Sequence, residues 1–365
     1  MSKRKRISFT VINDLLYDQR MQKICTSLAN HGYDVTLIGR KVPNCAPLKT
    51  AKFKTMRVKC FFSLGKFFYL EYNLRLLFIL LFNKTDIYSA IDCDTLWANY
   101  LASKIRSKPL GYDAHELFSE VPEVINRPKV QKFWQYTERK LIPKTAFRYT
   151  VSQSIAEHFE KLHKVPFGLV RNAPILKENI PMNEIIIGDF ILYQGALNEG
   201  RGLENLLLAM QHIDSKLVLI GEGGLCSKLK KMVTELKIEN KVEFKGYLPP
   251  EEMNKYTNAA KIGINVSENK GLSYYYSLNN KFFDYIHAGL PSVTNDFPEY
   301  RDLNDKYEVC LLCTSTAEDL TLKINELLND SHLYGYLEEK CLLARRFLNW
   351  QKEEKKLVAI YDSIQ

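Results

Sequence analysis

Residues 264–295 form the most informative stretch of the chain: I-N-V-S-E-N-K-G-L-S-Y-Y-Y-S-L-N-N-K-F-F-D-Y-I-H-A-G-L-P-S-V-T-N. Residues 262–266 alternate in hydrophobicity and predict a buried strand, and the Ser, Asn, Gly and Tyr residues that follow predict a surface loop. Asn280–Ala288 has helical spacing, and Gly289 and Pro291 are residue types that end helices. The stretch therefore predicts a strand, a loop and a helix whose N-terminus points into that loop.

Such a helix N-terminus can bind an anion, because its unpaired N–H groups and the positive end of its dipole favour phosphate. Lys281 adds a positive charge there, and Asp284, one turn further on, can accept hydrogen bonds from ribose hydroxyls. Ser273, Tyr274 and Asn280 are further candidate ligand-binding residues. The alternative interpretation is a capped surface helix with solvated charges.

Length and composition suggest two globular domains. The chain has 365 residues, of which 46% are hydrophobic, and this length predicts two domains of roughly 150 to 180 residues each. The eight cysteines are scattered, except for Cys310 and Cys313 in the apolar run V-C-L-L-C. They are typical of reduced thiols in a core. Because no second pair or His cluster accompanies them, we expect no metal site and no cofactor.

Two features bear on location. The N-terminal residues M-S-K-R-K-R-I-S-F-T-V-I-N-D start with basic residues, but their apolar stretch is short and interrupted, which predicts a first strand and not an export signal. The longest apolar run of the aromatic-rich region, residues 76–82, is far below the roughly 20 residues that cross a bilayer. We therefore expect a cytoplasmic protein without a transmembrane span.

The chain is basic, with a formal net charge of +9. Residues 52–84 alternate Lys and Arg with Phe and Tyr and contain one acid, Glu71. This pattern suits an anionic membrane surface, such as the inner face of the plasma membrane. The alternative is a core helix with a solvated basic face. Because no nucleic-acid-binding motif is present, we expect no nucleic-acid partner.

Strands alternate with helical stretches along most of the chain, which is the pattern of a parallel α/β sheet. The pattern occurs twice, with the irregular residues 171–187 as the linker. We predict a Rossmann-like first domain at 1–170, a second at 171–345, and a last helix within 346–365 that returns to the first domain. A helix from Leu333 to about Phe347 is expected to continue into this last segment. In doubly wound folds the ligand lies at the carboxyl ends of the strands, here expected between the domains.

Candidate residues of the second domain follow its strands. After residues 190–194 comes G-A-L-N-E-G-R-G-L, where Gly195, Gly200 and Gly202 allow close backbone approach and Arg201 supplies a bidentate cation. Arg201 and Lys281 can then clamp one diphosphate. The alternative for Arg201 is a turn residue between glycines. Two other candidates follow later strands, namely Glu222 and Tyr247. The segment L-I-G-E-G-G-L lacks the final Gly of the dinucleotide fingerprint, so it is a weak NAD signal.

Candidate residues of the first domain also follow strands. Asn13, Asp14, Asp18 and Arg20 follow the first strand, where polar residues have no core role. We expect them to meet an acceptor or the phosphates of the ligand.

A second polar cluster of the first domain follows the strand near residues 109–112, in the sequence G-Y-D-A-H-E-L-F-S-E. It contains Asp113, His115, Glu116 and Glu120, and His is the most versatile acid, base and donor at neutral pH. Asp92 and Asp94 form a D-x-D sequence that suggests a metal. We prefer capping of the next helix by Asp94 or Thr95.

The chain resembles a retaining GT-B glycosyltransferase of family 4 over nearly its full length. D-A-H-E is similar to the family's sugar-contacting histidine site, and K-F-F-D-Y-I-H-A-G-L-P-S-V resembles its segment E-A-M-A-x-G-x-P-V. In that alignment Asp284 replaces the ribose-binding glutamate, and Arg201 takes the lysine position of the motif G-R-L-x-x-x-K-G. The family's arginine is replaced by Ala196, and Tyr276 lies where its first sugar-contacting acid is expected. Glu268 is nearby in sequence.

The resemblance implies transfer of a sugar from a nucleotide donor to an acceptor hydroxyl with retention of configuration. The second domain would bind the nucleotide, with a UDP-sugar slightly favoured over a GDP-sugar, and the first would bind the acceptor. Arg201 and Lys281 would neutralise the leaving diphosphate without a metal, and His115 would contact the sugar. A lipid-linked glycan or cell-surface polysaccharide precursor is the implied acceptor class.

Three other functions fit parts of the sequence. A nucleotide-sugar epimerase shares the architecture. A catalytically silent scaffold at a membrane fits the missing arginine and Tyr276, and an NAD-linked oxidoreductase rests on L-I-G-E-G-G-L alone.

Overall fold

The computed structural model describes residues 4–16, 18–43, 45, 47–48, 50–177 and 188–364. It divides into two compact units: unit 1 consists of Met1–Asn172 and Glu353–Gln365, and unit 2 of Ala173–Lys352. Of the predicted linker, residues 171–177 contain no helix or strand, and residues 178–187 lie outside the described residues.

Unit 1 contains a seven-stranded, wholly parallel sheet in the order β3-β2-β1-β4-β5-β6-β7. Every residue of β4 and β5 is buried, as expected for strands that are covered on both faces. The strands are β1 (Arg6–Thr10), β2 (Asp34–Arg40), β3 (Lys54–Val58), β4 (Ile87–Ile91), β5 (Leu110–Ala114), β6 (Phe147–Thr150) and β7 (Gly168–Leu169).

Unit 2 contains a six-stranded parallel sheet in the order β10-β9-β8-β11-β12-β13. Both sheets thus have the doubly wound order in which the first strand of the series lies beside the fourth. The strands are β8 (Phe190–Gln194), β9 (Lys216–Ile220), β10 (Val242–Gly246), β11 (Ile262–Asn265), β12 (Ser292–Asn295) and β13 (Cys310–Cys313).

Most helices follow a strand, and local residues explain where some of them begin and end. The Asp18 carboxylate accepts from the Met21 N–H at 3.1 Å and caps the first helix, while Gly289, at φ 69°, ends the helix of the opening stretch. In unit 1 the helices are α1 (Gln19–Asn30), α2 (Gly65–Phe82), α3 (Leu96–Arg106), α4 (Pro122–Ile125), α5 (Pro128–Leu141) and α6 (Gln153–His163).

In unit 2 the helices are α7 (Leu203–Ala209), α8 (Cys226–Glu235), α9 (Pro250–Ala259), α10 (Leu272–Tyr275), α11 (Asn280–Ala288), α12 (Pro298–Tyr307), α13 (Ala317–Asn329) and α14 (Ser331–Ala344). The last helix is α15 (Trp350–Asp362). In the described part of the chain, no helix combines the length and the apolar character needed to span a membrane.

The sequence predicted that the helix from residue 333 continues without a break into the last segment of the chain. This prediction of a continuous helix was wrong. The helix ends at Ala344, and α15 starts afresh at Trp350, whose N–H donates to the Pro174 carbonyl at 2.7 Å. The Asn349 side chain donates to the carbonyls of Arg345 and Arg346, both at 2.9 Å. These carbonyls at the end of the preceding helical segment are thereby satisfied, which stabilises the break.

Most of α15 packs into unit 1 through a buried tyrosine. The Tyr361 ring is fully buried, and its hydroxyl lies 2.9 Å from the Ser89 hydroxyl on β4 and 3.2 Å from the Tyr149 hydroxyl on β6. The Glu353 carboxylate accepts from the Arg171 N–H at 3.0 Å. The end of the chain therefore contributes to the core of the first sheet.

We predict that Tyr361→Ala destabilises unit 1 by about 3–5 kcal/mol, because the substitution leaves a cavity and two unpaired hydroxyls. Tyr361→Phe should cost about 1 kcal/mol. Urea denaturation measures both, with exposed Lys355→Ala on the same helix as the control. Equal midpoints for Tyr361→Ala and Lys355→Ala would contradict this role.

Candidate functional site

The candidate anion site of unit 2 lies where β8 ends, beside β11. Gly195 has φ 129°, and a side chain there would place its Cβ 3.7 Å from the Lys281 Nζ. Gly221, at the end of β9, must also remain glycine, because a Cβ would overlap the Gly195 carbonyl oxygen. The Glu268 N–H donates to the Gly200 carbonyl at 2.8 Å and joins the loops that follow β8 and β11.

Lys281 is the most unusual charged residue of this site. It is only 8% exposed, and its Nζ has no hydrogen-bond partner. The Nζ lies 3.6 Å from the centre of the Tyr193 ring. Burial, and then the charge of Arg201, lower the pKa of Lys281 well below its usual value. A buried ammonium group without a carboxylate is unfavourable, so this position favours an anionic ligand.

Arg201 is held in a similar way. Its guanidinium carbon lies 4.5 Å from the centre of the Tyr274 ring, and its Nε has no partner. Both cations rest on aromatic rings, and among the residues that the structure describes neither forms an ion pair with a carboxylate, so their charge is available to a ligand. The structure thus brings together the two cations that the sequence suggested as a clamp.

Asp284 is held by residues that the sequence reasoning missed. Its carboxylate accepts from the Gln194 side chain at 3.0 Å, and the Gln194 amide oxygen accepts from the Thr257 hydroxyl at 2.7 Å. The signal for Gln194 was available, since an amide ends the apolar strand F-I-L-Y-Q. This chain of bonds fixes the position of the carboxylate.

The remaining unit 2 candidates are spread over several loops. Asn280, the first residue of α11, is exposed. The N-cap Asn279 makes no side-chain capping bond, which leaves the start of α11 open to an anion. Ser273 and Tyr274 are buried in α10, and Tyr247 is exposed. Glu222 and Gly221 line a cavity of about 300 Å³ at the ends of β9 and β10.

Two buried polar groups at the end of β11 were not recognised from the sequence. The Asn265 amide nitrogen and the Ser267 hydroxyl have no hydrogen-bond partner. The Asn265 amide oxygen accepts from Asn279 at 3.2 Å. Unsatisfied donors are rare in a protein interior, so these groups mark a place where a ligand oxygen can bind.

The cluster of unit 1 centres on Asp113, at the end of β5. This fully buried carboxylate accepts from Arg20 at 2.9 and 3.3 Å and lies 3.1 Å from the His115 Nε2. The Asp92 carboxylate accepts from the His115 N–H at 2.8 Å. Burial alone would lower the pKa of His115, but Asp113 and Asp92 raise it to about 9. The ring is therefore an imidazolium at neutral pH.

Three predicted residues of unit 1 have protein partners in the structure. Arg20 is buried and donates to Asp113 and to the Val170 carbonyl at 2.8 Å, so it positions Asp113 and is not placed as a phosphate ligand. Asp14 pairs with Arg57 at 2.7 Å, and Asp18 caps α1 with one carboxylate oxygen. The partners of Arg20 and Asp14 come from distant strands, so the local sequence pattern did not reveal them.

The predicted cap of α3 was also wrong. Thr95 precedes α3 but makes no side-chain capping bond, and its hydroxyl donates to the carbonyls of Thr10 and Ile91 at 3.2 and 3.1 Å. Asp94 lies in the short 3-10 turn Cys93–Thr95, and burial raises its pKa well above the usual value. Asp92 has φ 53°, an uncommon backbone conformation for a residue other than glycine.

Two other candidates of unit 1, and Glu120, lie on loops. Asn13 is exposed and Glu116 half-buried, while Glu120 accepts from Gln131 and Gln135, each at 3.3 Å. Within the described residues, no group of three or more His, Cys, Asp or Glu side chains is arranged to hold a metal ion.

Comparison with known families identifies the second unit. The family model for glycosyl transferases group 1 matches residues 179–341. This segment is therefore similar to the glycosyl transferases of that group. The resemblance to GT-B glycosyltransferases is thus confirmed, whereas family 4 stays a prediction. No curated protein sequence matches the chain significantly.

Solved glycosyltransferase structures resemble the whole chain. Anabaena HepE, solved with UDP and glucose, has 13% identity and a TM-score of 0.78, with 98% of this chain and 99% of that chain covered. Sucrose-phosphate synthase from Thermosynechococcus elongatus has 16% identity and a TM-score of 0.82, with 98% of each chain covered. WaaG, a glycosyltransferase involved in lipopolysaccharide biosynthesis, has 15% identity and a TM-score of 0.66, with 97% and 99% covered.

At these identities the likeness concerns the fold. It confirms the predicted class, an α/β protein with two Rossmann-like parallel-sheet domains as in GT-B glycosyltransferases.

We predict that His115 titrates with a midpoint near pH 9, measurable by NMR as the shift of its ring protons. Because its pKa in the folded state lies above the usual 6.5, its stabilising effect is complete below about pH 6.5 and is lost as the pH rises through 9.

Asp92→Asn is the matched control for this titration, since the amide keeps an acceptor for the His115 N–H but removes one charge. Its midpoint should be lower than that of the wild type. His163, whose pKa burial lowers to about 4, provides an internal contrast. A His115 midpoint near 6.5 in the wild type would contradict the charged cluster.

We predict that Lys281→Met stabilises the ligand-free protein by about 1–3 kcal/mol, because a buried amine is replaced by an apolar chain. If the site binds a nucleoside diphosphate such as UDP, a hundred times its dissociation constant should stabilise the wild type by about 2.7 kcal/mol, and the variant should lose this gain.

Thermal unfolding with and without UDP measures both effects. Lys216→Met, an exposed lysine of unit 2, is the control and should change neither. The anion-site interpretation would be contradicted if Lys281→Met is destabilised and still gains stability from UDP.

Proposed function

We propose that the protein is a retaining glycosyltransferase that moves a hexosyl group from a nucleotide-sugar to an acceptor hydroxyl. The observation that carries this proposal is the buried, unpaired Lys281 ammonium, close to Arg201 and facing Gly195 at the start of α11. The group 1 match over residues 179–341 supports the same reaction class.

The proposed donor is a UDP-sugar. Anabaena HepE, which shares the fold, was solved with UDP and glucose, and this favours uridine over other bases. In the proposal the diphosphate binds to Lys281, Arg201 and the first N–H groups of α11, and the ribose hydroxyls donate to Asp284. Gln194 holds that carboxylate in place for the ribose.

Little covalent chemistry is needed from the protein in this reaction. As the bond between the sugar and the diphosphate breaks, negative charge grows on the leaving phosphate. Two cations and a helix N-terminus that are already in place stabilise that charge without reorganisation. The acceptor oxygen bonds to the anomeric carbon on the face from which the diphosphate departs, which gives retention, and the acceptor proton passes to the leaving phosphate. The proposal requires no metal ion.

His115 is proposed as a donor to a sugar hydroxyl. Its Nε2 is engaged by Asp113, whereas its Nδ1 lies 4.0 Å from the Asp92 carboxylate, beyond hydrogen-bonding distance. Since the ring is protonated at neutral pH, Nδ1 carries a proton that can be donated. Asp113 favours this protonated state, whereas the charge of Arg20 opposes it; Arg20 acts by holding Asp113 in place, so both are positioning residues.

The proposed acceptor is a lipid-linked glycan or a precursor of a cell-surface polysaccharide. WaaG, of the same fold, is involved in lipopolysaccharide biosynthesis. Unit 1 also carries the basic and aromatic segment 52–84, much of it exposed. We therefore place the protein at the cytoplasmic face of a membrane.

The test is a transfer assay with radiolabelled UDP-glucose, UDP-galactose or GDP-mannose and a set of lipid-linked sugar acceptors. Arg201→Ala should lower kcat/KM by roughly ten to a few hundred fold, because a charge-assisted bond of about 1.5–3 kcal/mol is lost. NMR of the product should show the anomeric configuration of the donor, and activity should survive a chelator.

Other outcomes identify other functions. Conversion of the donor sugar without any acceptor would indicate an epimerase. Loss of activity with the chelator and recovery with Mn²⁺ would indicate a metal at Asp92 and Asp94. If UDP, GDP, ADP, CMP and NAD all fail to raise the unfolding temperature, the protein is a scaffold and not a transferase.

A further inference from the structure

Helix α2 is apolar on two opposite sides. One side packs into unit 1 through Phe68, Tyr72, Leu76 and Leu80, all buried. The other side presents a stripe of large apolar residues that are between 49% and 83% exposed: Phe67, Leu70, Leu74, Phe78 and Phe82. Their spacing of three or four residues places them on one face of the helix. The core-helix part of the sequence alternative thus agrees with the structure, but the exposed face is mainly apolar and not basic.

The apolar stripe continues into the segment before α2. Phe61 and Leu64 are more than four-fifths exposed, and the Phe62 ring lies 5.6 Å from the Phe67 ring. This segment is held in place, because the Glu71 carboxylate accepts from the N–H groups of Phe61 and Phe62 at 2.9 Å. We call the stripe and residues 61–64 together the α2 surface.

An isolated exposed apolar residue needs no explanation, but a contiguous group of this size indicates a binding partner. While these side chains are exposed to water, the protein lacks the stabilisation that burial of each of them would give. We therefore expect the α2 surface to bind a partner that offers an apolar environment.

The charges around the α2 surface indicate which occupant. The Lys66 Nζ lies 5.1 Å from the centre of the Phe67 ring, and the Arg75 guanidinium 5.0 Å from that of Phe61. Glu71 is the one acid of residues 52–84, and Arg75 pairs with it at 2.8 Å. The partner thus meets apolar side chains bordered by positive charge. A second copy would bring the same positive charge, whereas an anionic lipid layer is complementary to both features.

We propose that the α2 surface docks the protein on an anionic lipid membrane, with α2 lying in the plane of the interface. Its 18 residues span about 27 Å, and the stripe runs along this length. The purpose of this docking rests on the proposed function. Docking would bring the enzyme to a lipid-linked acceptor in the membrane.

The test is co-sedimentation with vesicles of phosphatidylcholine, alone or with roughly 30% phosphatidylglycerol. The full-length wild type should bind the anionic vesicles at least about tenfold more strongly than the neutral ones, and salt should weaken this binding. The double variant L74E/F78E should lose at least about tenfold in affinity for the anionic vesicles, because it places carboxylates in the centre of the stripe.

Leu322→Glu is the matched control, since Leu322 is an equally exposed leucine on α13 of unit 2. It should leave vesicle binding unchanged. Circular dichroism and thermal unfolding check that all variants fold. The UDP-induced rise in unfolding temperature should persist in L74E/F78E, so a failure of lipid docking is distinguishable from a failure of nucleotide binding.

Three results would overturn the proposal. The first is a wild type that sediments with neither vesicle type, and the second is L74E/F78E binding as tightly as the wild type. Analytical ultracentrifugation that shows a wild-type dimer which L74E/F78E abolishes, without lipid binding, would assign the α2 surface to self-association.

Discussion

Both units are governed by one constraint: their central parallel strands are covered on both faces, so charged side chains are placed at the ends of these strands or beyond them. In each sheet the first strand of the series lies beside the fourth, and the chain leaves these two strands in opposite directions. This creates an open crevice at their carboxyl ends. The Gly195 loop lies at one such point, and the residues that follow β1 and β4 lie at the other.

The two units treat buried charge in different ways. In unit 1 the Asp113 carboxylate lies between Arg20 and His115, so the charges are compensated within the protein. In unit 2 the Lys281 ammonium rests on the Tyr193 ring and lacks a carboxylate. The first arrangement holds a histidine in a defined protonation state, whereas the second is complete only when an anion binds. This difference is the physical basis for the proposal that a diphosphate binds to unit 2.

Much of the fold could be predicted from local sequence patterns. The bounds of α11 follow from hydrophobic spacing and from the glycine that ends it, and the alternation of strands and helices gave the parallel sheets. The prediction missed β3, whose residues are partly exposed, and it missed the break before α15. Both depend on contacts with distant residues, which periodicity does not report. Within the candidate site, Lys281, Arg201 and Asp284 were predicted; Gln194 had a local signal that was missed, whereas Thr257 and Ser267 had none.

The sequence by itself determined the residue types at the strand ends, because only glycine, charged and amide residues interrupt the apolar pattern there. Tertiary structure decided which of them are compensated. Arg20 looked like a phosphate ligand until Asp113, 93 residues away, was seen to bind it. The outer face of α2 looked basic in the sequence, yet it is apolar in the structure. Burial and pairing depend on partners that folding brings from elsewhere in the chain, so no local pattern contains them.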